Sequence, residues 1–288
     1  MSPKTVGLIA HTGKPGAAEL VTKLKREFEQ AEVRVLVETE TAHLVELKES
    51  RTVAQLGSEA DLLVVLGGDG TILNAVSQLG DTIKPIFGIN IGSLGFLTCL
   101  NSSAYREAVD SIVSGKFALS ERVLLAVEIT RHNSSVHHTV ALNDAVISRG
   151  EISRLIRLRT RVNGAALTEF NADGLVVATP TGSTAYSLSA GGPILEPQSG
   201  VFVITPICPH VLTNRSVIVG DNSTIEVEAS EADHPVFLTV DGRSPVPLEF
   251  GSIVTIRRSE KVLPLAVLPE LSFFGVVRQK LKWSGSAT

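Results

Sequence analysis

Cysteine is nearly absent from this chain: Cys99 and Cys208 are the only two in 288 residues. That excludes a disulfide framework and a zinc site built from clustered thiolates. An excess of basic charge is missing too. Lys and Arg number 26 against 30 Asp and Glu, a net charge of −4, which argues against a nucleic-acid binder working by bulk electrostatics. No apolar run approaches the length of a membrane span. The start, Met1-Ser2-Pro3-Lys4, leads straight into Val6–Ala10 without the longer apolar stretch of a secretory signal. Internal repeats and low-complexity linkers are also lacking. What remains is a 43% hydrophobic chain, long enough for one large or two ordinary domains with ample core. The expectation is a soluble cytoplasmic protein, with neither a membrane nor a nucleic acid as partner.

The first part of the chain alternates strand and helix patterns. Val6–Ala10, Val33–Val37, Leu62–Leu66 and Pro85–Asn90 are short, continuous apolar runs of the kind buried on both faces of a parallel sheet. Ala17–Gln30 places Leu20, Leu24 and Phe28 on one helical face. This pattern predicts an α/β domain with a parallel sheet over residues 1–120. From Val123 onward, short strand-like runs separated by turn residues predict a mainly β domain over residues 121–267. Phe273–Leu281 reads as a last helix and Pro264–Pro269 as a strand or extended arm; residues 268–288 are expected to pack back on the first domain, a return that no pattern in the sequence dictates.

Glycine and acid carry the chemistry. Gly67-Gly68-Asp69-Gly70-Thr71 follows the Leu62–Leu66 run and precedes Ile72, Leu73, Val76 and Leu79 at helical spacing. A glycine turn opening a helix presents free backbone N–H groups to anions, with Gly68, Gly70 and Thr71 in position to approach phosphate. Asp69 on such a turn binds a metal, holds a hydroxyl, takes a proton from one, or simply caps the helix. A second glycine turn, Gly92-Ser93-Leu94-Gly95-Phe96-Leu97, follows the fourth strand on the same edge of the sheet, where ligands of such sheets bind. Asn143-Asp144 offers an amide and a carboxylate at a strand start, able to grip a vicinal diol or to form an ordinary turn.

The stretch from Asp173 through Thr179-Pro180-Thr181-Gly182-Ser183-Thr184-Ala185-Tyr186 to Gly191-Gly192-Pro193 is dense in hydroxyls. Ser183 or Thr184 is placed to cap a short helix there. Five arginines crowd residues 149–161. Arg157, Arg159 and Arg161 share one strand face and read as a solvated edge or an interface face, while Arg149 and Arg154 lie close enough to Asn143-Asp144 to meet a phosphate. His210, directly after Pro209, reads as structural and not catalytic. Asp241-Gly242-Arg243 reads as a hairpin turn.

Taken in order, these motifs resemble the NAD kinase family from about residue 60 to about residue 245. The Asp173–Pro193 run is the most specific element. The resemblance implies transfer of the γ-phosphoryl group of ATP, with Mg²⁺, to the 2′-hydroxyl of the adenosine ribose of NAD. It also implies NAD between two domains of a homodimer or homotetramer. Asp69 matches the acid that orients or deprotonates the hydroxyl, and Gly70 the glycine beside it. Asn143 and Asp144 match the pair on the ribose hydroxyls, and Phe96 the aromatic on the adenine side. Asp173, Thr184, Ala185, Tyr186 and Ser189 match positions on the bases and riboses, and Asp241 is counted with the NAD-binding set.

Two departures stand out: Asp144 where the family more often has glutamate, and Arg243 where bacterial members often have glutamine. The loop His11–Gly16 is either a donor-phosphate contact or a plain connection. Two other classes share features of this sequence. A lipid or sphingoid kinase carries a similar glycine loop but leaves Asn143-Asp144 and the Thr179–Tyr186 stretch unexplained. A non-catalytic dinucleotide-binding regulator would have no need to keep Asp69.

Overall fold

A computed structural model describes residues 2–80, 82–93, 95–132, 134–150, 154–211, 213–231 and 235–283. Two compact units divide the chain, Met1–Glu121 with Leu263–Thr288, and Arg122–Val262. In the first unit, strands β1 (Thr5–Ala10), β2 (Arg34–Val37), β3 (Leu62–Gly67) and β4 (Ile86–Asn90) pair in parallel in the order β2-β1-β3-β4. Leu100 and Leu265 add further parallel pairings to β4. Every residue of β3 and β4 is buried, which is why both read as unbroken apolar runs and not as alternation. Phe28, Leu24 and Val21 of the helix Ala17–Gln30 pack with Val6, Val64 and Phe87 in one core.

The order β2-β1-β3-β4 reverses direction between β1 and β3. Ligands of an open α/β sheet sit beyond the carboxyl ends of strands at such a reversal. The loops that leave β1 and β3 are His11–Gly16 and Gly67–Asp69, so topology alone brings these two segments together.

The second unit has two antiparallel sheets. One orders Ala165–Ala172, Ile156–Val162, Ile225–Glu231 and Ile253 onward. The other orders Val217–Gly220, Val201–Ile207, Gly174–Ala178, Asp144–Arg149, Val236–Val240 and Val246–Leu248. Leu158, Phe170, Leu175, Phe202, Leu238 and Ile256 fill a shared core. Val146, Val176, Ala178, Val203 and Leu195 form a further cluster on the other face of the second sheet. Burial on two faces explains the continuous apolar run Gly174–Ala178, whereas Ile156–Val162 alternates buried and exposed.

Several elements differ from the pattern reading. Ser134–Ala141, rich in serine and histidine, Ala165–Ala172, and the three-residue Val246–Leu248 with a central proline are strands absent from the pattern reading. Arg157, Arg159 and Arg161 are exposed, but their strand lies between two others and is not an edge. Cross-strand neighbours supply the counter-charges: Arg159 pairs with Glu228 at 3.2 Å and Glu169 at 3.9 Å. Ser183 and Thr184 cap no helix; Ala185 precedes the helix Tyr186–Ser189 and no side chain caps it.

Phe28 is fully buried, so Phe28→Ala is expected to destabilise the protein by about 3–5 kcal/mol. Urea unfolding followed by circular dichroism checks this, and a change below about 1 kcal/mol would contradict the packing described.

Candidate functional site

In the first unit the glycine turn ends β3, and Asp69 opens the helix Asp69–Leu79. A capping carboxylate would accept from its own helix. Asp69 instead accepts the backbone N–H of Phe96 at 2.9 Å on one oxygen and that of Leu97 at 3.0 Å on the other. A Cβ on Gly95 would stand 2.0 Å from Asp69 Oδ1, so only glycine lets the 95–97 turn lie over the carboxylate. Thr98, itself buried, accepts the N–H of Gly95 at 3.0 Å and holds that turn. Leu94 of the same turn lies outside the described residues. Each Asp69 oxygen keeps a lone pair free, so the group is oriented and still able to accept a proton.

Gly67 lacks a side chain because a Cβ there would strike Thr71 Oγ1 at 2.2 Å, and that hydroxyl accepts the Gly68 N–H at 3.3 Å. Gly68 and Gly70 differ: a Cβ at either would meet nothing within 4 Å. Their bareness serves no internal packing and leaves room beside the backbone. That room belongs to a cleft of about 560 Å³ lined by His11, Thr12 and Lys14 from one loop and Gly68, Gly70 and Thr71 from the other. Lys14, the hydroxyls of Thr12 and Thr71 and the start of a helix converge there, with Glu38 and Glu40 also on the lining; the lysine and the helix start are the groups suited to an anion.

In the second unit Asn143 and Asp144 are buried, at 8% and 5% exposure. The turn Asp241-Gly242-Arg243 reaches their backbone. Asp241 accepts the N–H groups of Leu142 and Asn143 at 2.8 Å each and that of Asp144 at 3.1 Å. Burial, followed by the nearby charge of Asp241, pushes the Asp144 carboxyl up to about 7. Burial also raises Asp241, against the pull of the three N–H groups and Arg243. The charge therefore resides on Asp241, which has the donors, and Asp144 titrates near neutrality.

The hydroxyl-rich stretch splits into an inner and an outer set. Thr179, Ser183 and Ser187 are fully buried and bond internally. Ser183, for instance, donates to the Pro180 carbonyl at 2.6 Å and accepts the Leu195 N–H at 2.9 Å. Thr184 and Ala185 are half-buried, and Tyr186 and Ser189 are exposed. These four present the outer face, although Thr184 donates to the Thr181 carbonyl at 3.1 Å. Asp173 pairs with Arg149 at 2.7 Å, which gives that arginine a partner within the protein. Arg154 is exposed. Among the described residues, no group of three or more His, Cys, Asp or Glu could hold a metal ion.

Sequence reasoning passed over Gly95, Thr179 and Gly182. Gly95 and Gly182 stand inside recognised motifs, but what each presses against lies far away in sequence, and no local pattern reports that.

Comparison with known proteins covers both units. The family model for the ATP-NAD kinase N-terminal domain matches residues 6–117, and that for the C-terminal domain matches residues 142–267. An NAD kinase of Trichlorobacter lovleyi is 40% identical over 97% of this chain and 99% of its own length. One of Geotalea daltonii is 38% identical with the same coverage. Among solved structures, yeast NADH kinase complexed with NADH superposes with a TM-score of 0.91 at 28% identity, covering 100% of this chain and 90% of that one. An Archaeoglobus fulgidus NAD kinase in complex with ATP gives 0.77 at 25% identity, covering 98% and 100%.

Two outcomes test this geometry. Gly95→Ala is expected to displace Asp69 and lower turnover roughly 10²-fold with the fold retained, since misplacements of about an ångström cost that much; normal turnover would show that the carboxylate needs no such seat. The raised Asp144 also has a sign. Its folded state holds the proton more tightly than the unfolded chain, so stability is greatest below the unfolded value near 4 and falls as pH rises toward 7. Denaturant midpoints from pH 4 to 8 should show that fall, and Asp144→Asn should flatten it.

Proposed function

The chain belongs to the NAD kinase family, and on that premise we propose the roles its own residues take in the reaction. The activity is phosphoryl transfer from ATP to the 2′-hydroxyl of the adenosine ribose of NAD, giving NADP. A ribose hydroxyl is a poor nucleophile until a base takes its proton. Asp69 is that base. The observation that carries this is its seating: both oxygens are aimed by the N–H groups of Phe96 and Leu97, and none is used on its own helix.

Phosphoryl transfer is chiefly positioning plus stabilisation of negative charge spreading over the phosphate oxygens. The cleft beside Gly68, Gly70 and Thr71 takes the donor triphosphate, with backbone N–H groups and Lys14 facing it. Mg²⁺ travels with the triphosphate, as suits an ion usually held by one or two carboxylates plus substrate phosphates. In the second unit, Asn143 donates and Asp144 accepts at ribose hydroxyls. Near neutrality Asp144 also spends part of its time as an acid able to donate. Asp173, Thr184, Ala185, Tyr186 and Ser189 make further contacts to the dinucleotide, with Phe96 against the adenine and Arg154 toward phosphate. The family resemblance adds a homodimeric or homotetrameric assembly and a cytoplasmic location to this proposal. The lipid-kinase alternative has no use for residues 142–267, which match the C-terminal domain of this family.

NADP formation from NAD, ATP and Mg²⁺ tests the assignment, with Asp69→Asn beside the wild type. The variant should lose roughly 10²- to 10⁴-fold in turnover while still binding NAD. An active Asp69→Asn protein would remove the base. Wild type that binds NAD and makes no NADP would be a regulator instead.

A further inference from the structure

The segment 139–144 is gripped from two sides by residues that lie far from it in the sequence. On one side, Asp241 accepts the N–H groups of Leu142, Asn143 and Asp144, and donates its own backbone N–H to the Asp144 carbonyl at 3.0 Å. Arg243, two residues on, donates Nη2 to the Val140 carbonyl at 2.7 Å and to Thr139 Oγ1 at 3.1 Å, and Nε to the Val240 carbonyl at 3.0 Å. One turn thus takes the donors of the segment with an anion and its acceptors with a cation. Asp241 and Gly242 both have φ near the left-handed region, 50° and 66°, as a turn of this tightness requires.

On the other side, Thr179 donates Oγ1 to the Leu142 carbonyl at 2.6 Å and its N–H to the Asn143 carbonyl at 2.9 Å. The same hydroxyl accepts the Gly182 N–H at 3.0 Å. A Cβ on Gly182 would stand 2.0 Å from the Asn143 carbonyl oxygen, so the 179–183 turn lies directly on that peptide. Thr179 has no exposed surface, and the three N–H groups hold the Asp241 carboxylate against the chain.

We infer that Asp241 and Thr179 are positioning residues for NAD, which set the Asn143-Asp144 backbone and do not touch the dinucleotide. For Asp241 this replaces the ligand contact expected from its place in the motif series. Arg243 reinforces the same grip, with donors that the glutamine common in bacterial relatives would supply in smaller number and at shorter reach. The inference rests on the reading of Asn143 and Asp144 as NAD contacts.

Steady-state kinetics with NAD and ATP varied separately test it on four variants: Thr179→Val, Thr179→Ser, Asp241→Asn and Asn143→Ala. Thr179→Val preserves shape and removes the hydroxyl. It should raise the KM for NAD about tenfold, with kcat and the KM for ATP within about twofold of wild type. Thr179→Ser keeps the hydroxyl and should stay near wild type, which a role in bulk packing would not produce. Asp241→Asn loses a charged acceptor and should raise the NAD KM further, roughly 10- to 100-fold. An unchanged NAD KM in Thr179→Val would overturn the inference when Asn143→Ala raises it. Should Asn143→Ala leave that KM unchanged, the underlying reading fails instead. A fall in kcat at constant KM in Asp241→Asn would place that carboxylate in the chemistry and also overturn the positioning role. If Asp241→Asn does not fold, the contrast between valine and serine at 179 decides alone.

Discussion

A carboxylate that accepts successive backbone N–H groups from a distant segment fixes that segment with little freedom. The donors are rigid peptides, and the acceptor is charged. Both units use this device. Asp69 takes the N–H groups of Phe96 and Leu97, some 27 residues away in sequence, and Asp241 takes those of Leu142, Asn143 and Asp144, almost 100 residues away. In the first case the acid is the one proposed as the base, and the turn is its seat. In the second the acid is the seat, and the segment it holds carries Asn143 and Asp144, the proposed ribose contacts. The neighbouring elements follow from this arrangement. Glycine stands at 95 and at 182 because an oxygen occupies, or lies within 2.0 Å of, the place where a side chain would begin.

Much of this was legible in the sequence, and the reasons are local. Leu62–Leu66 read as a buried strand because both faces of its sheet are covered. The helix Ala17–Gln30 was recovered to the residue because its apolar face repeats at helical spacing. Ser134–Ala141 was invisible because a half-exposed hairpin strand rich in serine and histidine has no apolar alternation to report. Asp69 stood out as an acid on a glycine turn, but its partners did not. Nothing near residue 69 announces a turn at 95–97, and composition cannot separate a helix cap from a carboxylate aimed across to another loop. Thr179 and Thr184 look alike within one hydroxyl-rich motif, yet one is fully buried under Leu142 and the other half-exposed. Burial is a property of the assembled sheet, and five residues of sequence do not contain it.

The two acids of the second unit are close enough to share one electrostatic problem. A buried carboxylate and a half-buried neighbour cannot both be charged cheaply, and the one given N–H donors and the Arg243 guanidinium keeps the charge. Asp144 then yields, and its ionisation moves into the neutral range. Glutamate, more common in the family at that position, has one more methylene with which to move its carboxyl away from such a neighbour. Aspartate here has no such latitude.

On the proposed reading, in which Asp144 meets the dinucleotide, a carboxyl pushed up to about 7 makes recognition there a joint equilibrium in which hydrogen ion is a second ligand. A dinucleotide whose hydroxyl prefers the ionised form expels a proton on docking, and one that prefers the neutral form captures a proton from solution. The heat released on association then includes the ionisation enthalpy of whatever buffer is present. Affinities compared across buffers or compartments of different acidity carry that contribution, even though no titrating group of the substrate has changed.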